Sequence, residues 1–265
     1  MSNIVPSSDE HLTARIEPPF AWLLIDNPER RNAVTLSMWQ AMPALLAQIE
    51  GDSRVRVLVI AGAGETAFVA GADIGEFATV RRDAASARGY EDANAAAFAA
   101  IRTTRRPTIA MIRGFCFGGG IGIAAACDLR IAADDALFSI PAARLGLAYP
   151  PAAIGDIVRL VGAARAKEMF FTARRIDHAE AHAIGLVDRV VPAAELESET
   201  RALAASIADN APLTLVAAKA AIDAVARGES TDPATALADA CFESADFAEG
   251  RAAFLEKRRP RFSGA

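Results

Sequence analysis

The sequence has few cysteines, and they are not spaced as metal ligands or disulfide partners. Its three cysteines are Cys116, Cys127 and Cys241, and no two of them form a C-x-x-C pair. An odd number with this spacing predicts neither a disulfide framework nor a zinc site. We therefore expect no metal site and a reducing, cytoplasmic location.

Long apolar segments and long basic segments are also missing. No stretch offers about 18 uninterrupted apolar residues, the length that a membrane helix needs. The N-terminus MSNIVPSSDEHLTAR has no basic segment followed by an apolar one, as a secretion signal would. The net charge is −5, and the longest basic run is KRRPR at 257–261. We expect neither a nucleic acid nor a membrane as partner. A compact basic patch that binds a smaller phosphorylated ligand is still compatible with this charge.

Apolar residues are abundant: they make up 52% of the 265 residues, enough for a sizeable core. TARIEP and FAWLLID predict a β-hairpin, and the apolar spacing from Leu36 to Glu50 predicts a helix. VRVLVIAG at 55–62 and TIAMIRG at 108–114 are largely apolar, as strands covered on both faces are. Strand patterns cease near residue 200. We predict an α/β core over residues 1–200 and a helical region over residues 201–265.

The most unusual stretch is FCFGGGIGIAAACD at 115–128, where four glycines precede a run of small apolar residues. A P-loop needs a Lys and a Ser or Thr after the last glycine, but Ile123 and Ala124 follow Gly122. The spacing is also not that of the dinucleotide-binding G-x-G-x-x-G. Two interpretations remain: an anion hole for a reacting oxygen, or tight packing of a strand against a helix.

A second small-residue loop favours the anion hole. AFVAGADI at 67–74 also follows an apolar strand, and its Ala72 can offer a backbone N–H. A helix that begins at the triple glycine has free N–H groups and the positive end of its dipole there. Two such donors are what an oxyanion site requires, each contributing about 3 kcal/mol in a transition state.

Six motifs together resemble one known family. In chain order they are NPERRNAVT, AFVAGADI, GFCFGGGIGIAAACDLRIA, LGLAYP, the EMFFTARRIDHAEAHAIGLVDRVVP passage and FLEKRRPRF. This set, over about residues 12–262, is similar to the crotonase superfamily, also called the enoyl-CoA hydratase/isomerase family. The resemblance implies an α/β fold, a spiral of ββα units followed by a C-terminal helical trimerisation region. It also implies a homotrimer or a dimer of trimers.

The resemblance further implies a function and the residues that perform it. Members of the family bind acyl-CoA thioesters and hold the thioester carbonyl between two N–H donors, so that an enolate can form. By position the donors are the amides of Ala72 and Gly119. Coenzyme A is then part of the substrate, and no separate cofactor is expected.

Other residues are implied as substrate contacts. The loop after the hairpin and the AGAD loop contact CoA in relatives, which corresponds here to Arg31, Ala33, Ala70, Asp73 and Ile74. For Arg31, a solvated loop arginine is an equally good interpretation. Beside the acyl group the family pattern places Phe117, Gly118, Gly122 and Ala142. Near the chain end, Phe254 and Lys257 occupy a motif that reaches a CoA site in relatives, often the neighbouring subunit's.

The chain departs from the family where acid–base chemistry is expected. Hydratases carry two glutamates, one three residues after the middle glycine and one directly after a proline at a strand end. Here these positions hold Gly122 and Ala142, which can neither donate nor accept a proton. An aspartate used by the dienoyl isomerases and aryl dehalogenases is replaced by Pro150. We therefore expect an acyl-CoA enzyme that is not a standard hydratase.

Tyr149 is the remaining candidate for chemistry near the thioester. Some decarboxylases of the family, which act on branched malonyl-CoA thioesters, resemble this chain in having a tyrosine there and no paired glutamates. Decarboxylation needs an enolate-stabilising site and no strong base at the start. The alternatives are a packed aromatic residue, a different candidate in Asp156, and a catalytically weak acyl-CoA-binding subunit. Glu76, Glu91 and Asp92 lie in or near the segment that shapes the acyl pocket in relatives. One alternative is that one of them supplies a carboxylate from an unusual direction, but we expect each to be a surface residue.

Overall fold

Two β-sheets organise the first two thirds of the chain. The computed structural model describes residues 3–265. Its strands are β1 (Asn3–Val5), β2 (Leu12–Glu17), β3 (Phe20–Ile25), β4 (Val57–Gly62), β5 (Ala67–Val69), β6 (Thr108–Ile112), β7 (Phe115–Phe117), β8 (Leu129–Ala133), β9 (Leu137–Ser139), β10 (Ile176–Asp177) and β11 (Arg189–Val191). The larger sheet has the order β1-β2-β3-β4-β6-β8-β11, and the smaller has the order β10-β9-β7-β5.

The chain alternates between the two sheets. β4, β6 and β8 lie side by side and parallel in the larger sheet. The strand that follows each of them, β5, β7 and β9, enters the smaller sheet, where these three are also neighbours and parallel. Each pass of the chain therefore adds one strand to each sheet, which is the spiral implied by the resemblance. The predicted α/β fold class is confirmed.

The part of the chain that the structure describes has ten α-helices. They are α1 (Leu36–Gly51), α2 (Phe77–Val80), α3 (Ala84–Thr103), α4 (Gly119–Ala126), α5 (Pro151–Thr172), α6 (His178–Ala183), α7 (Leu196–Ala208), α8 (Pro212–Arg227), α9 (Asp232–Phe242) and α10 (Ala245–Glu256). Helix α1 begins where the Thr35 hydroxyl accepts a hydrogen bond from Met38 N at 3.3 Å. Between residues 3 and 265, no helix is long and apolar enough to span a membrane.

The larger sheet is covered on both faces, as its apolar strands predict. Leu58 and Ile60 of β4 belong to the main core with Met42 of α1. The alternate residues Val57 and Val59 face the other side and pack against α7. Since side chains alternate along a strand, burial on both faces requires a continuous apolar run.

The helices after β11 do not form one separate layer. Helix α7 packs on the larger sheet through Leu196, Ala204 and Ala208, and the predicted boundary between residues 200 and 201 falls inside this helix. Helices α8 and α9 pack against each other and leave large apolar side chains such as Ile222 and Phe242 exposed. The division into two regions and the trimer stay predictions.

A buried ion pair joins α3 to α5. The Asp156 carboxylate is buried and accepts hydrogen bonds from Arg102 Nε at 3.0 Å and from the Arg159 guanidinium. Asp156 is therefore neither a helix-start residue nor a free acid, because both oxygens are bound by arginines.

We expect Asp156→Asn to destabilise the fold by about 3 kcal/mol, because it leaves Arg102 buried without its countercharge. The free energy of unfolding in urea would measure this. The control is Glu197→Gln, which removes one partner of the exposed pair with Arg201 and should cost less than about 1 kcal/mol. Equal losses in the two variants would contradict this account.

Candidate active site

Two loops that leave the smaller sheet form the centre of the site. β5 and β7 are adjacent and parallel, so their carboxyl ends lie at the same edge. The loop after β5 carries Ala70 to Asp73, and the loop after β7 carries Gly118 and Gly119. The two loops picked out in the sequence are therefore brought together by strand pairing.

The Ala72 amide is left unpaired by its own backbone bridge. Gly71 O accepts a hydrogen bond from Val34 N at 2.8 Å, and Asp73 N donates to Val34 O at 3.0 Å. The amide between them points to the opposite side, because N–H groups alternate along an extended segment. Within residues 3–265 the Ala72 N–H has no backbone partner.

The Gly119 amide is free for a different reason. Gly119 is the first residue of α4, so its N–H has no acceptor inside the helix. Gly118 before it has φ 49° and ψ −115°, which a residue with a Cβ rarely adopts. A Cβ built on Gly119 would lie 3.8 Å from Ala72 N. Two unpaired backbone donors are therefore neighbours.

A narrow cavity opens beside these two amides. Seven of the predicted site residues line it: Ala70, Ala72, Ile74, Gly118, Gly119, Ala142 and Tyr149. The rest of the wall is mainly apolar, with Trp39, Phe77, Phe98, Leu145 and Leu147, and three polar residues complete it, Arg81, Glu91 and Asn94.

Tyr149 occupies the space beside Gly122. Its hydroxyl donates to Gly118 O at 2.9 Å, and its ring packs edge-on against Phe170. A Cβ built on Gly122 would lie 2.9 Å from this hydroxyl oxygen and 2.5 Å from Phe98 Cζ. Position 122 therefore has no room for a side chain.

The Tyr149 hydroxyl is held in its protonated form. Burial raises its pKa well above the ordinary value of a phenol, and the nearby Glu91 charge acts in the same direction. At neutral pH this group can donate a hydrogen bond or a proton, but it cannot act as a base.

The expectation that Glu91 lies at the surface is wrong. Its side chain is only 30% exposed, lines the cavity and pairs with Arg81 at 2.8 Å. Glu91, Asn94 and Phe98 share one face of α3, since residues three and four apart are neighbours on a helix. This spacing along the edge of the apolar stripe was the signal in the sequence. It could not show that α2 and Arg81 cover that face.

The other acids have structural partners or are solvated. Glu76 Oε2 accepts a hydrogen bond from Leu36 N at 2.9 Å, at the beginning of α1, so it is not a free surface carboxylate. Asp92 is exposed, as expected.

The loop expected to contact CoA is fixed against the loop after β5. Ala70 N donates to Arg31 O at 3.0 Å, and the buried Asn32 amide donates to Ala67 O at 2.7 Å. The exposed Arg31 guanidinium lies over the Phe115 ring, 5.1 Å from its centroid. Ala33, in the same segment, is buried. The main chain of this segment is thus positioned beside the cavity mouth.

Several predicted contacts have different surroundings. Asp73 is buried, and its carboxylate accepts from Arg30 Nη1 at 2.6 Å and from Gly75 N at 2.9 Å. Arg30 was not recognised in the sequence. Phe117 lies under the Arg175 guanidinium, which is 5.5 Å from its ring centroid. Asp73 and Phe117 do not line the cavity.

Phe254 and Lys257 lie at the end of α10. Phe254 is 84% exposed and borders a groove between the C-terminal helices, while Lys257 caps α10 in a left-handed conformation. Neither residue lines the cavity of its own chain. Their contact with CoA stays a prediction that concerns a neighbouring subunit.

The chain is similar to known proteins over nearly its whole length. The family profile described as Enoyl-CoA hydratase/isomerase matches residues 19–265. A short-chain-enoyl-CoA hydratase from Clostridium acetobutylicum is 36% identical over 92% of this chain and 94% of its own. A crotonyl-CoA hydratase from Syntrophomonas wolfei is 35% identical over 96% and 98% of the two chains.

A solved structure gives the same result. An enoyl-CoA hydratase/carnithine racemase from Magnetospirillum magneticum superposes with a TM-score of 0.90 at 34% identity, covering 98% of this chain and 97% of its own. The fold is therefore shared over nearly the full length of both proteins.

We expect Gly122→Ala to destabilise the protein by about 1–3 kcal/mol, because the added methyl group overpacks against Phe98 and Tyr149. The measurement is urea unfolding. Gly89→Ala on α3 is the matched control: a Cβ there meets nothing within 4 Å, so this variant should gain about 0.5–1 kcal/mol. A neutral Gly122→Ala would show that position 122 has room for a side chain.

Both tyrosines should ionise at a higher pH in the folded protein than in the unfolded chain. Burial raises the pKa of Tyr90 to about 12, and that of Tyr149 is also raised. A tyrosine in the unfolded chain ionises at about pH 10. Keeping the two hydroxyls protonated therefore contributes to the free energy of unfolding fully below that pH, and this contribution is lost as the pH rises toward the pKa values of the folded protein. Tyrosinate absorbance and urea unfolding, followed together, would measure both effects. Tyrosinate formation near pH 10 without unfolding would contradict the burial of these hydroxyls.

Proposed function

The chain belongs to the enoyl-CoA hydratase/isomerase family, and from this membership we propose that the amides of Ala72 and Gly119 stabilise the enolate of an acyl-CoA thioester. The protein is an enzyme of this family, whose members act on acyl-CoA thioesters. The observation that carries the proposal is the pair of neighbouring backbone donors at one edge of the smaller sheet.

The two amides suit an oxygen that gains negative charge. Both belong to rigid elements, a backbone bridge and the first turn of a helix, so they need little reorganisation as the charge develops. The helix dipole of α4 favours negative charge at its N-terminus. The apolar wall of the cavity excludes water and strengthens these interactions.

Standard hydration is not the reaction that this site favours. Gly122 and Ala142 stand where hydratases of the family carry their glutamates, and neither residue can activate a water molecule. The Tyr149 hydroxyl and the Phe98 ring also fill the space in which a side chain at position 122 would lie. The protein therefore needs a different source of acid–base chemistry, or a reaction that requires less of it.

Decarboxylation of a malonyl-type thioester is the second candidate, and Tyr149 is the observation that favours it. Loss of CO₂ leaves the electron pair in the enolate, which the two amides can stabilise. The protonated Tyr149 hydroxyl, held beside Gly118, can then deliver a proton. A trimeric assembly, a cytoplasmic location and the absence of a separate cofactor remain predictions from the sequence.

The proposal is tested by turnover. The protein is incubated with crotonyl-CoA, a 3-enoyl-CoA and methylmalonyl-CoA, and the products are followed by mass spectrometry. We expect crotonyl-CoA hydration below about 1 s⁻¹, the lower end of ordinary enzyme rates. Faster hydration would contradict the non-hydratase proposal, and binding of all three without turnover would identify an acyl-CoA-binding subunit. Tyr149→Phe tests the decarboxylase, and an unchanged rate would remove Tyr149 from the mechanism.

The oxyanion site itself is tested by removing the oxygen from the ligand. Butyryl-CoA and its thioether analogue S-butyl-CoA differ in the carbonyl oxygen, and free CoA serves as the control for binding of the shared part. We expect the thioether to bind about tenfold more weakly, because two hydrogen bonds are lost. Equal dissociation constants in calorimetry would show that the amides do not hold the carbonyl.

A further inference from the structure

We propose that Glu91 is the proton-transferring residue of this site, acting on the acyl carbons from the wall formed by α3. This inference deepens the proposed function and rests on it: the two amides stabilise the enolate, and Glu91 moves the proton. It supplies the acid–base group that Gly122 and Ala142 lack, from a different element of the fold.

The position of Glu91 is the first step of the argument. It projects from α3 into the cavity wall, one helical turn before Asn94, which also lines the cavity. Tyr149 and Ala142, on the segments after β9, line the same cavity. An acyl group whose carbonyl oxygen is bound at Ala72 and Gly119 would enter this same cavity.

The state of its two oxygens distinguishes Glu91 from the other buried acids. Arg81 binds Oε1, whereas Oε2 is buried and has no hydrogen-bond partner among residues 3–265. By contrast, both oxygens of Asp73 and both oxygens of Asp156 are occupied. A buried carboxylate oxygen without a partner is costly. In this cavity it is an acceptor available to a substrate proton.

Arg81 fixes the carboxylate and favours its ionised form. Its side chain is only 10% exposed, and its guanidinium lies over the Tyr90 ring at 4.1 Å and over the Phe77 ring at 4.6 Å. Tyr90 is in turn held by a hydrogen bond of 2.9 Å from Trp39 Nε1. Arg81 therefore has little freedom to move away from Glu91.

The electrostatic environment suits a group that gains and loses a proton. Burial raises the pKa of Glu91, although the Arg81 charge opposes this shift and the adjacent Asp92 adds to it. The facing Tyr149 stays protonated, since burial raises its pKa. A carboxylate whose pKa is raised toward neutrality is a better proton carrier at physiological pH than a solvated one.

One carboxylate is sufficient for a double-bond shift. Glu91 Oε2 takes a proton from Cα of a 3-enoyl thioester, and the C–H electron pair enters the enolate whose oxygen the two amides hold. The proton then returns to Cγ as the double bond moves into conjugation with the carbonyl. No atom is lost and nothing is oxidised or reduced. Hydration would also need a second group that activates a water molecule. Because Oε2 of Glu91 is the single proton acceptor proposed for this site, isomerisation is favoured over hydration.

Proton transfer can be measured apart from complete turnover. The full-length protein is incubated in D₂O with butyryl-CoA, a saturated thioester that can be neither hydrated nor isomerised, and deuterium at Cα is followed by mass spectrometry. We expect exchange with the unaltered protein. Glu91→Gln should slow it by about 100-fold and leave the dissociation constant of butyryl-CoA within threefold. The matched control is Asp92→Asn, which alters the exposed neighbour; because its charge is the smallest influence on the Glu91 pKa, the rate should stay within threefold of the unaltered protein.

Two further variants separate catalysis from structure. Glu91→Gln leaves Arg81 buried without a countercharge, so Glu91→Gln combined with Arg81→Met removes both charges. If Glu91 transfers the proton, the double variant stays slow although its fold is restored. Arg81→Met alone removes the charge that lowers the Glu91 pKa, so the pH profile of exchange should move to higher pH.

The outcomes distinguish this inference from the proposed function. Exchange in Glu91→Gln within threefold of the unaltered protein would overturn the role of Glu91 and leave the oxyanion site standing. Recovery of exchange in the double variant would also overturn it. Binding of butyryl-CoA without exchange in the unaltered protein would do the same. Equal affinity for the thioester and the thioether would overturn the proposed function, and this inference with it.

Discussion

The parallel pairing of β5 with β7 is the constraint on which the site depends. It places the loops after both strands, and with them residues 72 and 119, at one edge of the smaller sheet. The first turn of α4 then packs closely on β5: a Cβ on Gly120 would lie 2.3 Å from Val69 O. A larger residue there would push the helix away from β5 and separate the two amides. The small residues in these loops therefore allow a close approach that two backbone donors require.

The space around Gly122 decides what chemistry the site can carry. Phe98 and the Tyr149 hydroxyl occupy the position of a side chain there, so the absence of a glutamate is built into the packing as well as into the sequence. Restoring a glutamate alone would not restore its place in the cavity. The Tyr149 hydroxyl in this space is a hydrogen-bond donor, because burial keeps it protonated. The site consequently has this donor and the two unpaired backbone amides close together, and the base of the proposed mechanism must come from another element.

The wall formed by α3 supplies the remaining polar groups. Placing the Arg81–Glu91 pair in an apolar cavity costs desolvation energy, and a buried ion pair is weak evidence for stability. The functional consequence of the pair is that two buried oxygens stay without hydrogen-bond partners among residues 3–265: Oε2 of Glu91 and the amide oxygen of Asn94. The same low dielectric that makes these orphan atoms costly would strengthen their interaction with a bound substrate.

From the sequence alone, strands β2, β3, β4 and β6, helix α1 and the two small-residue loops of the candidate site were predicted. These features are local: β4 is apolar along its whole length because both faces are covered, and glycines mark the loops directly. The tertiary structure alone showed the strands β5, β7 and β10 of the smaller sheet, because two or three residues carry no readable periodicity. It also decided the roles of Asp156 and Glu91. In the sequence, both are single acidic residues within a predicted helical stretch, but their function depends on which side chains pack beside them. Two arginines occupy both oxygens of Asp156, whereas a single arginine leaves one oxygen of Glu91 without a hydrogen-bond partner.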